Sequence, residues 1–164
     1  HVVIPTAKRL GISIVAIQPT TEQGLELEKR KKEVDSRLRS DESLLRILEY
    51  TDLLAHHESE LWQHHMQQGD CIEHVQLNEY HVFSEARDRV EQMLFPQRAQ
   101  LLDEWNGCFL QKIEDTIERN PGRRLLVIAG LWHKYWLWNR LQRRSDVVVH
   151  NLHTFRLASS QDRL

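Results

Sequence analysis

Two rhythms of apolar residues run along this chain. Short apolar runs stand near the ends: Ile12, Ile14, Val15 and Ile17 in one, Leu125, Leu126, Val127 and Ile128 in another, and Val147, Val148 and Val149 in a third. Each reads as a strand, and the run at 125–129, apolar on both faces, suits one buried between helices better than a half-exposed hairpin strand. Between the first and second run, from Thr20 to about Asn120, apolar positions recur at helical spacing instead.

The punctuation refines this outline. Pro5 suits a first helical turn, so a short helix over Thr6 to Leu10 is predicted to stop at Gly11 and give way to a strand over 12–17 that Pro19 closes. The charged stretch Glu26 to Arg39 reads as a helix, and Asp41 as the N-cap of the next. In that next helix Leu44, Ile47, Leu48, Leu54, Ala55, Leu61, Trp62 and Met66 share one face over about six turns, ending near Gly69. A further helix begins near Ser84 and is interrupted at Pro96. The one after it, from about Gln97 to Glu118, carries a stripe of Leu102, Trp105, Phe109, Ile113 and Ile117, and Asn120, Pro121 and Gly122 end it.

After that break a strand over 125–129, a helix over 131–144 and a strand over 146–150 form a βαβ unit with an expected right-handed crossover. The expected fold is therefore α/β: a mostly parallel sheet with a long helical block inserted between its strands. One domain is expected, divided into helix and strand (1–19), helical block (20–120), strand–helix–strand (121–153) and tail (154–164). Three short strands make a thin sheet, so an upstream half of a larger domain, or a second copy in a homodimer, is expected to complete it.

Composition narrows the classes. With 40% hydrophobic and 28% charged residues, the 164-residue chain has the make-up of a globular domain. A net charge of -2 gives no electrostatic case for nucleic acid, and the arginines at 119, 123, 124, 140, 143 and 144 read as a solvated rim. No apolar run reaches the roughly 18 to 20 residues that span a bilayer, so no membrane role is expected. Cys71 and Cys108 lack CxxC spacing, which fits a reducing, cytoplasmic setting. No phosphate-binding glycine loop and no GxSxG elbow are present.

Candidate chemistry centres on histidine. Ligands of open α/β sheets bind outside the carboxyl ends of strands, and Gly130–Leu131–Trp132–His133 lies at such an end, so His133 is placed as a metal ligand or general base. Asn106 projects close to the apolar stripe of Trp105, Phe109 and Ile113, where a polar side chain needs a partner; Glu104 projects nearer the opposite face. His57, Glu60 and His64, at i, i+3 and i+7 with His56 and His65 beside them, align along a helix that can hold a divalent ion if another element adds a ligand. His74, His81, His150 and His153 have no spacing that assigns them a role. Trp132 and Trp136, at helical spacing, read as packing residues.

The run Leu102–Asp103–Glu104–Trp105–Asn106 with Phe109 and Ile113, followed by Arg124 to Ile128 and Gly130–Leu131–Trp132–His133, resembles the C-terminal half of the TraB/TIKI-type superfamily, which is similar in arrangement to erythromycin-esterase-like and ChaN-like domains. The resemblance covers about 65 residues. It implies an α/β core with helical insertions and metal-dependent hydrolysis, with His133 as the late histidine, Glu104 as the helix carboxylate and Asn106 as the polar residue after it. Trp105 stands where the family's arginine is expected, and the early GxxH is not in these residues. The implied function is a metal-dependent hydrolase using Mn or Zn on a small-molecule or peptide substrate. The alternative is a non-catalytic ligand-binding or interaction domain.

Overall fold

The computed structural model describes residues 3–67 and 78–150, and within them it is built of helices. These are α1 (Val3–Arg9), α2 (Thr21–Ser40), α3 (Glu42–Gln67), α4 (Asn78–Leu94), α5 (Pro96–Arg119) and α6 (Leu131–Leu141). The helix α5 is central: α2, α4 and α6 all pack on it, α3 packs on α2, and α4 also touches α6.

Local chemistry sets the boundaries. At the end of α1 the Ile12 amide donates to the Ala7 carbonyl (2.9 Å) and the Gly11 amide to Lys8 (3.2 Å), with Gly11 at φ +66°. This paired closure needs a left-handed residue, which glycine supplies without a Cβ clash. Thr20 and Gln23 then form a capping box at the start of α2, so this helix begins five residues before the predicted Glu26. The Asp41 carboxylate accepts from Ser43 Oγ (2.5 Å), Ser43 N (2.9 Å) and Leu44 N (3.4 Å); those bonds, largest first, hold its pKa below the ordinary value and fix the start of α3. Pro96 starts α5 instead of merely ending α4, because a first-turn residue has no intrahelical use for its amide hydrogen.

Packing follows α5. Phe109 and Ile113 form a buried cluster with Tyr135, Trp136, Leu137 and Leu141 of α6, and Trp105, Leu110 and Ile117 flank it. Ala99 and Leu101 are also buried, so α5 is covered on more faces than its single predicted stripe. On the other side Arg98 of α5 reaches Asp52 of α3 (3.2 Å) and Asp35 of α2 (3.7 Å), tying three helices together. Leu48 is the innermost residue of the α3 stripe at 1% exposure, while Ile47 and Leu54 stay partly solvated. Leu61, Trp62 and Met66 have side chains outside the described set.

The expected parallel sheet is absent among the described residues; the fold there is all helical, and the α/β expectation is corrected accordingly. The three apolar runs exist as irregular segments on the surface, with Ile14 52%, Leu126 81% and Val148 78% exposed. Among the described residues, no backbone hydrogen bond joins 13–17, 125–128 or 147–150 to any other backbone group. The physical reason is that a strand is stable only when a neighbour about 4.8 Å away takes its peptide groups, and here the helices bury their apolar faces on one another first. Near the ends of two runs, Ile17 and Val149 pack against the α5–α6 cluster.

Candidate functional site

His133 and Asn106 meet where α6 crosses α5. His133 sits in the first turn of α6, its amide donating to the Gly130 carbonyl (3.0 Å). Gly130 is the N-cap at φ −60°, ψ 148°, a conformation open to any residue, and a Cβ there would meet His133 Cδ2 at an ordinary 3.5 Å. The glycine expected to permit a sharp turn is therefore not required by the backbone. Its N-terminal position places the imidazole over α5, edge-on to Phe109 with ring centres 4.7 Å apart.

His133 Nδ1 lies 2.6 Å from Asn106 Oδ1. With Nδ1–H donating to that amide oxygen, Nε2 carries the lone pair. Burial lowers the His133 pKa, because removing water penalises the imidazolium, so the neutral ring is favoured near neutral pH. Asn106 is fully buried, and its Nδ2 has no hydrogen-bond partner among the described residues. An orphaned buried amide donor costs about 1–3 kcal/mol, which makes this dyad polar but under-satisfied.

Glu104 is not part of this pair. Two residues along a helix rotate the side chain by about 200°, and Glu104 faces α2, where Arg30 donates to both its oxygens (2.5 and 2.9 Å) and Gln100 adds a third bond (3.1 Å). The Arg30 hydrogen bond, the largest influence, holds the Glu104 carboxyl below its ordinary pKa against the opposing effect of desolvation. Of the three residues expected to share a catalytic site, the structure brings together His133 and Asn106 and commits Glu104 to an ion pair on another face.

Among the described residues the histidine-rich face of α3 gathers no metal centre. Glu60 spends its two oxygens on neighbours of its own helix, Oε2 at 3.1 Å from His57 Nδ1 and Oε1 at 3.3 Å from His56 Nε2, with all three side chains more than half exposed. His64 makes contacts of its own. Among the described residues no three His, Cys, Asp or Glu side chains converge as a metal requires, and His57, Glu60, His64 and His133 are not gathered into such a group there. One helix face offers ligands in a row, and among the described residues no second element adds a third ligand to them. His74 and His153 lie outside the described residues, and His81 has no described side chain.

Around the dyad the tryptophans are packing elements. Trp136 is buried and its Nε1–H donates to Asp103 Oδ1 (2.7 Å), with the Arg140 guanidinium 4.4 Å over the ring; Arg87 of α4 lies 4.3 Å over Trp132. Asp103, Arg87 and Arg30 carry these contacts across helices, and no local spacing in the sequence points to them. A shallow open depression of about 630 Å³ lies on α2, lined by Lys29, Lys32, Glu33 and neighbours, on a different element from His133 and without its chemistry. Among the described residues no helix is long and apolar enough to cross a membrane. Comparison with family models, with curated proteins and with solved structures finds no match to this chain.

Proposed function

We propose that this chain is a protein-binding domain that offers its extended apolar segments to another polypeptide, the non-catalytic alternative of the two functions expected from sequence. The observation that carries this reading is the coincidence, in the same segments, of exposed apolar side chains with backbone groups unpaired among the described residues. Such a segment is a template for strand addition, in which main-chain bonds supply affinity and alternate side chains supply selectivity. A hydrolytic reading lacks its carboxylate, because Glu104 is held by Arg30 away from His133.

Hydrogen exchange on the isolated chain tests the premise. Amides of 13–17 and 125–128 are expected to exchange close to the rate of unstructured peptide, while those of α5 are protected. Strong protection of 125–128 in a monomer would mean that these segments are already paired and would overturn the reading.

A further inference from the structure

The open segments share an electrostatic setting that the net charge hides. Residues 1–21 and 119–145 contain no Asp or Glu, yet they carry nine of the 22 Lys and Arg residues; all 24 acidic residues lie elsewhere. A basic pair precedes each apolar run: Lys8 and Arg9 before 12–17, Arg123 and Arg124 before 125–128, Arg143 and Arg144 before 147–149. Lys8, Arg9, Arg123, Arg124 and Arg143 are exposed, whereas Arg144 is held by Asp146 (2.8 Å) and Glu114 (3.5 Å). The segments 12–17 and 125–128 are thus entered through exposed positive charge, while before 147–149 Arg143 alone is exposed and Asp146 and Glu114 hold Arg144.

We infer that the occupant of these segments is an acid-flanked extended stretch of another protein, paired through its main chain with its acidic residues against the basic entries. This rests on the protein-binding reading above and adds the chemistry of the partner. Charge complementarity selects it over the other candidates. Among the described residues a second copy offers unpaired apolar backbone in these same segments, so pairing them would set the basic entries side by side. Its acid-rich helices carry the complementary charge, but their peptide groups are already bonded within the helix and have none to give. An anionic bilayer matches the charge and the apolar side chains. It cannot bond the open peptide groups of 125–128, and each such group left unbonded in hydrocarbon costs several kcal/mol.

The test uses the purified chain and a synthetic peptide of alternating valine and threonine carrying two glutamates at each end, compared with a copy carrying lysines instead. Binding is followed by fluorescence anisotropy and by exchange at 125–128. The glutamate peptide is expected to bind about tenfold tighter at roughly 0.01 M salt, where charges act over ~30 Å, and the ratio to fall towards unity near 1 M, where they act over ~3 Å. In the chain with both Arg123→Glu and Arg124→Glu the preference is expected to invert; both side chains are exposed, and circular dichroism checks that the helices are intact.

Equal binding of the two peptides would overturn the acidic partner while leaving strand addition standing. Binding of neither would overturn strand addition itself. Protection of 125–128 by phosphatidylserine-containing phosphatidylcholine vesicles, or by concentration-dependent dimerisation in sedimentation, with no effect of peptide, would overturn the choice of partner.

Discussion

Replacing Asn106 by leucine isolates the energetics of the buried dyad. The wild-type amide gains one bond, to His133 at 2.6 Å, and leaves Nδ2 without a partner in a site with no exposure. The bond contributes about 0.5–1.5 kcal/mol and the orphaned donor costs about 1–3 kcal/mol. Leucine is γ-branched like asparagine and of similar length, so it removes both effects without a large cavity and adds apolar contact with Phe109 and Ile113. It also leaves His133 without its Nδ1 acceptor, a penalty of about 1 kcal/mol for a half-buried ring. The contributions nearly cancel, and Asn106→Leu is expected to match wild-type stability to within about 1 kcal/mol, or about 4 °C in Tm for a chain of this size. Urea unfolding followed by circular dichroism at pH 8 measures it. A loss beyond about 3 kcal/mol would show that Nδ2 is bonded in the native state and that the dyad is a satisfied network.

Phe109→Ala, by contrast, empties the centre of the α5–α6 cluster and is expected to cost about 3–5 kcal/mol in the same urea assay; a loss under 1 kcal/mol would deny that this cluster is the core. Thr20→Ala removes the α2 capping box and is expected to cost about 1 kcal/mol, read as a lower urea midpoint at unchanged slope. Because burial lowers the His133 pKa below its ordinary 6.5, the unfolded chain takes up this proton first as the solution is acidified. The stability contributed by the neutral ring is complete above about pH 6.5 and is lost as pH falls towards the folded-state pKa. The stability difference between wild type and His133→Phe should therefore shrink, or turn against wild type, on the acid side, and parallel pH profiles would refute the assignment. Leu126→Glu is expected to leave stability within about 0.5 kcal/mol of wild type, since 81% of that residue is already in solvent.

What the sequence makes legible is what is local. Gly11, Asp41, Pro96 and the turn at Asn120 each act through bonds within a few residues, and each marks an observed helix end. The start of α2 is equally local, and Thr20 with Gln23 announces it, but the charged run beginning at Glu26 is the louder signal. The apolar runs at 12–17, 125–129 and 146–150 state only that these residues favour a covered extended chain. Whether a neighbour pairs with them is non-local, and no described backbone group of this chain bonds to the backbone of 13–17, 125–128 or 147–150. The site divides in the same way. The helical projection separates Glu104 from Asn106, as the structure does, but their partners Arg30 and His133 lie 74 and 27 residues away, and no spacing rule links them.

The junction between α4 and α5 is a single residue, Phe95, whose amide donates to Glu91 (2.7 Å) while its carbonyl accepts from Arg98 and Ala99 (2.9 and 3.0 Å). Its ring is 2% exposed. The two helices are therefore phased to one another like gears on one shaft. One inserted residue would turn α4 by about 100° about its own axis, carrying the buried Ser84 and Asp88 outwards and the exposed Met93 in another direction. Changes of length are thus barred at this point of the chain, whereas the exposed turn at Pro121 and Gly122 can absorb them. Among descendants of this sequence, variation in spacing should accumulate after α5 and be absent at the α4–α5 junction.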